Sequence, residues 1–124
     1  MNDHNETLKI KELMKTYLTG TFDGNVEKLE SVFHEKAVMN GYLGDDLVMG
    51  TPAVFIEDIA LSPSMRSENC EYHGEIESIL IEKDIAQVVL SETGFRGNTS
   101  LVNCFHLIKT NGKWKIISKL FTTI

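Results

Sequence analysis

Residues 105–121 read FHLIKTNGKWKIISKLF. Asn111-Gly112 divides two runs rich in aliphatic and aromatic residues. This dipeptide suits the two-residue hairpin turn, whose central positions need positive φ. A hairpin is therefore expected, with Leu101 to Lys109 entering it and Lys113 to Thr122 leaving it. Upstream the period stays near two. Ile85 to Thr93 reads as another long strand, joined to the hairpin by the loop Gly94 to Ser100. Before it, Cys70, Tyr72, Gly74, Ile76, Ser78 and Leu80 alternate with Glu71, His73, Glu75 and Glu77. That alternation predicts a strand with one solvated face, turning at Glu82-Lys83-Asp84. Four long antiparallel strands thus close the chain.

The first half is mostly helical. Ile10, Leu13, Met14, Tyr17 and Leu18 mark one helix face, with Asn5 or Thr7 as its cap and Gly20 near its end. Asn25 caps a second, shorter helix with Val26, Leu29, Val32 and Phe33 inward. His34 follows and is expected as a helix-end residue, beside the last free carbonyls. Ala37 to Tyr42 and Leu47 to Met49 form a short hairpin across Gly44-Asp45-Asp46. Thr51-Pro52 starts a third helix, a capping hydroxyl before proline at the first helical position, with Phe55, Ile56, Ile59 and Ala60 buried. The expected class is α+β, one domain over residues 1–124. A strongly curved antiparallel sheet wraps three helices of the N-terminal half and leaves a concave pocket between them.

Composition limits the function. Apolar residues are 42% and charged residues 24%, so the chain is an ordinary globular one. The net charge is −6, and the one basic cluster, Lys109, Lys113, Lys115 and Lys119, is interleaved with apolar residues. Those lysines read as strand faces, so no nucleic-acid partner is expected. No apolar run approaches the ~20 residues of a membrane span, and the polar start MNDHNETLK has no apolar signal core. A soluble cytoplasmic protein without a membrane partner is expected. Cys70 and Cys104 read as free thiols. His4, His34 and His73 are scattered, and no H-E-x-x-H, Gly-rich phosphate loop or G-x-S-x-G elbow occurs. Neither metal nor cofactor is expected.

YLTGTFDGNVEKLESVFHEKAVM (17–39), TPAVFIEDI (51–59) and FHLIKTNGKWKIISKLF (105–121) together resemble the nuclear-transport-factor-2-like superfamily. The resemblance covers essentially the whole chain and is greatest to its small bacterial branch of putative lumazine-binding proteins. It implies a cone-shaped pocket and a homodimer built on the convex face of the sheet. The superfamily hosts ketosteroid isomerase, scytalone dehydratase, limonene-epoxide hydrolase, polyketide cyclases and non-catalytic binding modules, so the residues must supply the function. Overlaid on the isomerase pattern, the oxyanion-hole tyrosine matches Tyr17 and the acid partner falls at about His106. The general base falls on Gly41, beside Asn40, and neither side chain takes a proton at neutral pH.

Tyr17, Met39, Gly41, Phe55, Ile59, Cys104, His106, Trp114 and Lys119 are the candidates for lining the pocket, with His106 and Tyr17 the candidate catalytic pair. The closing strands leave two arrangements open. If the face of Cys104, His106 and Ile108 is concave, an imidazole enters an apolar cavity. If the face of Ile117, Lys119 and Phe121 is concave, an ammonium does; otherwise Trp114, Ile116, Ser118 and Leu120 line the cone. The first expectation is a homodimer that binds a small apolar or aromatic molecule. The alternatives are an isomerase, dehydratase or cyclase using His106 and Tyr17, and a protein-interaction module using the convex sheet.

Overall fold

The computed structural model describes residues 3–124. In chain order the elements are α1 (Asp3–Asp23), α2 (Val26–Val32), β1 (Phe33–Leu43), β2 (Asp46–Gly50), α3 (Pro52–Leu61), β3 (His73–Glu82), β4 (Ile85–Phe95), β5 (Thr99–Thr110) and β6 (Lys113–Thr123). The six strands form one sheet in the order β2-β1-β6-β5-β4-β3. Every neighbouring pair is antiparallel except β1 and β6, which run parallel. The fold is α+β, with three helices on a curved, mostly antiparallel sheet.

Local chemistry explains most boundaries. Asn25 Oδ1 accepts from Lys28 N at 3.1 Å and starts α2. Thr51 Oγ1 accepts from Ala53 N at 3.3 Å, and Pro52 opens α3. Asn111 and Gly112 both have positive φ, 52° and 76°, as the tight β5–β6 turn requires. Three boundaries differ from expectation. Asn5 and Thr7 lie inside α1, which runs on through Gly20 to Asp23. Phe33 and His34 belong to β1, because α2 stops at Val32 and Phe33 is already extended. His34 Nδ1 accepts from Lys36 N at 3.0 Å, so it shapes the strand entry instead of closing a helix. Tyr72 lies in the loop before β3, not on the strand.

Ile10, Met14 and Tyr17 of α1, Leu29 and Val32 of α2, and Ile59 of α3 pack onto Val88, Leu90, Phe105, Leu107, Trp114 and Ile116 of the sheet. Each such side chain contributes about 1.5–3 kcal/mol when fully buried. Gly74 lets Leu18 of α1 lie directly on β3, where a Cβ would come within 2.4 Å of that side chain.

Bulges decide which residues face the helices. In β6 the pairing with β5 slips between His106 and Leu107, and Ile117 is the extra residue. Trp114 and Ile116 point inward before it, Lys119 and Phe121 after it. Neither strict alternation expected for this strand holds, because one inserted residue exchanges the faces. β3 has the same device at Glu77, so Ile76 is followed inward by Ile79 and Ile81 while Leu80 faces out.

Gly41 pairs with Phe121 across the parallel β1–β6 ladder. A Cβ there would meet Phe121 O at 2.0 Å and the Phe121 ring at 2.7 Å. A main-chain oxygen in a central ladder has little room to move. Gly41→Ala should therefore cost about 2 kcal/mol or more. Urea denaturation of both proteins measures this, and equal midpoints would refute the close approach.

Candidate functional site

A cavity of about 550 Å³ opens between α1, α3, the β1–β2 hairpin and the concave side of β4, β5 and β6. Most of its wall is apolar. Met39 and Leu43 come from β1, Leu47, Val48 and Met49 from β2, Val54 and Phe55 from α3, Phe95 and Leu101 from the β4–β5 region, and Phe121 from β6. This is a size and lining suited to a small organic molecule. Asp58 on its rim is held by Arg96 Nη2 at 2.7 Å, tying α3 to the β4–β5 loop.

Tyr17, Glu92 and Lys119 supply polar groups to this wall. The Lys119 side chain is taken inward by the β6 bulge and the residue is only 3% exposed. Its Nζ donates to Asn103 Oδ1. Asn103 Nδ2 in turn donates to Glu92 Oε2 and, at 3.3 Å, to Leu90 O. Glu92, 1% exposed, also accepts from Tyr17 Oη at 3.3 Å and from Tyr72 Oη. One carboxylate thus takes three neutral donors and faces the ammonium through an amide. Around Nζ stand the rings of Phe121, Tyr17, Phe105 and Phe55, with centroids 4.8, 5.5, 5.5 and 5.6 Å away. Their negative faces stabilise a cation where little water reaches.

Of the residues named from sequence, Tyr17, Met39, Phe55 and Lys119 line the cavity. Cys104 and His106 do not. Asn103, Phe105 and Leu107 are the inward residues of β5, so their neighbours face out. His106 Nε2 contacts Gln87 Oε1 at 3.2 Å on the outer face, beside Leu80, Ile85 and Ile117. Trp114 and Ile59 are packed in the core, away from the cavity wall. Gly41 shares the inward phase of Met39, but the Phe121 ring and carbonyl fill the space its side chain would need. Asn40 points away and accepts from Gly50 N at 3.2 Å.

Glu92, Asn103 and Tyr72 were not legible as site residues. Two of them had a visible signal. Glu92 is in phase with Ala86, Val88 and Leu90, and Asn103 with Leu101, Phe105 and Leu107. A polar residue on an otherwise apolar stripe is a residue with a buried partner. Tyr72 had none, since its position depends on stacking with Phe22, 6.2 Å between centroids and 4° between planes.

Three of the four lysines of the basic cluster have separate contacts. Lys109 pairs with Glu6 of α1, Lys115 Nζ donates to Ser31 O at 2.5 Å, and Lys119 is in the cavity. Among the described residues no group of three His, Cys, Asp or Glu side chains is placed to hold a metal ion. No described helix is long and apolar enough to cross a membrane.

Burial lowers the Lys119 ammonium to about 8, against the smaller opposing attraction of Glu92. Burial and then the Glu92 charge push the Tyr17 and Tyr72 hydroxyls well up, so both stay neutral donors. Between pH 8 and 10.5 the unfolded chain binds more protons at position 119 than the folded one. Stability from this residue therefore rises with pH across that window. Above about pH 10 the tyrosines oppose the rise, because only their unfolded forms ionise there. From pH 7 to 10 the wild type should gain roughly 2–3 kcal/mol over Lys119→Met. Paired urea titrations measure the difference, and a flat difference would contradict a buried, titrating ammonium.

The fold has counterparts among solved structures. A nuclear-transport-factor-2-like protein of unknown function from Shewanella baltica is 21% identical, with 100% of this chain and 98% of that one covered and a TM-score of 0.89. One from Methylobacillus flagellatus is 24% identical, with 97% and 93% covered and a TM-score of 0.85. A Streptomyces avermitilis protein described as a putative dehydratase of the same superfamily is 16% identical, with 99% of both chains covered and a TM-score of 0.70. At these identities the likeness establishes the fold. No curated protein matches the sequence. Residues 5–122 match the family described as "Putative lumazine-binding". The chain belongs to that family.

Proposed function

We propose that the cone binds a small, neutral, largely apolar or aromatic molecule that presents one acceptor oxygen to Lys119. The observation that carries this reading is the composition of the cavity: apolar and aromatic walls around a single ammonium. Neutrality follows from Glu92. The carboxylate lines the same cavity, so the buried site already balances its charge. An anionic ligand would bring an uncompensated charge into a low-dielectric space, which is costly. A neutral ring system carrying a carbonyl satisfies the lysine without that cost. The family's description as lumazine-binding fits a ligand of this kind.

The second reading is acid–base catalysis in the same cavity, and Lys119 with its lowered ammonium favours it. His106 lies on the outer face, so the groups for such chemistry are Lys119, Glu92 and Tyr17. A dehydratase description among the fold neighbours is compatible with this reading.

The protein is further proposed to act as a homodimer through the outer face of the sheet. Val38, Leu80, Ile85 and Leu120 are 43–64% exposed there, an apolar surface that a second copy would cover.

Two measurements test these readings. Thermal shift with a panel of neutral heteroaromatic and polycyclic carbonyl compounds should find a stabiliser worth ~2.7 kcal/mol at about 100 times its dissociation constant. Gly50→Trp should abolish it, because Gly50 lines the cavity and a Cβ there meets nothing within 4 Å. A panel without any stabiliser would sink the binding reading. Light scattering should give a dimer mass for the wild type and a monomer mass for Leu120→Glu. A monomeric wild type would remove the dimer and leave the outer face for another protein.

A further inference from the structure

We propose that Lys119 captures aldehyde or ketone ligands covalently, as a Schiff base formed inside the cone. The inference rests on the ligand-binding reading and adds a reaction to it.

Three features of the site carry it. First, Lys119 lines a cavity large enough for the carbonyl compound. Second, the amine is not locked in a direct ion pair. Among the described residues, Glu92 reaches it through the Asn103 amide, and the one hydrogen bond to Asn103 leaves two of the three ammonium protons without such a partner. Third, the product of the reaction is again a cation. The rings of Tyr17, Phe55, Phe105 and Phe121 that surround the ammonium would surround a protonated iminium at the same place. Glu92 remains its counter-ion, so the charge balance of the buried site does not change.

The chemistry balances. The neutral amine adds its lone pair to the carbonyl carbon, forming the C–N bond while the C=O π electrons move to oxygen. The oxygen then takes one proton from the added nitrogen and one equal to that first released by the ammonium, the C–O bond breaks, and the oxygen leaves as water while the nitrogen lone pair forms the C=N bond. Overall, Lys119 ammonium and a carbonyl compound become a protonated iminium and water, with no oxidant or reductant. The low ammonium pKa, about 8, supports the first step. Near neutral pH a far larger share of Lys119 is free amine than of an ordinary surface lysine. Small walls also matter: apolar side chains keep bulk water from returning the iminium to the carbonyl.

The test uses the full chain, benzaldehyde as the electrophile, and benzyl alcohol as its non-electrophilic analogue. Cyanoborohydride at about pH 7.5 supplies hydride to the iminium carbon and fixes the adduct as a secondary amine. Intact mass and peptide mapping then locate the benzyl group. Lys119 should be labelled at least about tenfold faster than any surface lysine. Excess benzyl alcohol should slow that labelling, and should stabilise the protein by thermal shift. Lys119→Arg should lose the fast label. The mapping on wild type stands even if this variant fails to fold. Stabilisation by benzyl alcohol with Lys119 unlabelled would overturn covalent capture and leave the binding reading intact. Labels only on surface lysines without stabilisation by benzyl alcohol would likewise overturn covalent capture, and the compound panel above then decides the binding reading separately.

Discussion

A lysine and a glutamate share the interior of the cone with an asparagine between them. Neither ion touches the other, yet each depends on the arrangement. Two charges taken from water cost several kcal/mol apiece unless their remaining donors and acceptors are satisfied. Asn103 Oδ1 accepts from Lys119 and its Nδ2 donates to Glu92 and Leu90 O, while Tyr17 and Tyr72 also donate to the carboxylate. The chain joins β6, β5, β4, α1 and the loop before β3, so helix and sheet are held in register by the same contacts that make the cavity polar at one point. Removing one member would leave its neighbour buried and unpaired, the more damaging loss in such a network.

Sheet irregularity brings this network together. With unbroken alternation, Trp114 and Ile116 would put Ser118 and Leu120 inside, and Lys119 would be wet. The extra residue Ile117 reverses the order, so the first half of β6 completes the hydrophobic core and the second half furnishes the cavity. The bulge at Glu77 performs the same exchange on β3. Bulges also increase local twist and bend the strand. Curvature and side-chain direction therefore come from the same residues: the sheet closes round the helices where its faces switch.

The overlap with the isomerase pattern also takes a physical form. Gly41 lacks the carboxylate, and Phe121 occupies the space beside it through both its ring and its main-chain oxygen. The position is filled by a wall of the cavity. Acidity enters instead from β4 at Glu92, and it comes paired with a cation. Opposite charges are thus held close together among buried side chains, where an added net charge would be costly.

The hairpin at Asn111-Gly112, the caps at Asn25 and Thr51-Pro52, the helix faces and the α+β class follow from residues close together in the chain. Their physics is local: a positive φ, a side-chain oxygen on a free N–H, a period of 3.6 or of two. Tyr17, Met39, Phe55 and Lys119 could be named for the same reason, as members of stripes. Their meeting could not. A single inserted residue flips a strand without leaving a mark in its composition, so the faces of β5 and β6, and with them the placements of His106 and Lys119, were decided by pairing with neighbours far along the chain. Glu92 and Asn103 stood in view on apolar stripes, but what made them a site was each other, 11 residues and one strand apart. Local propensity chose the elements; only the register between strands chose which side chains share a dry space.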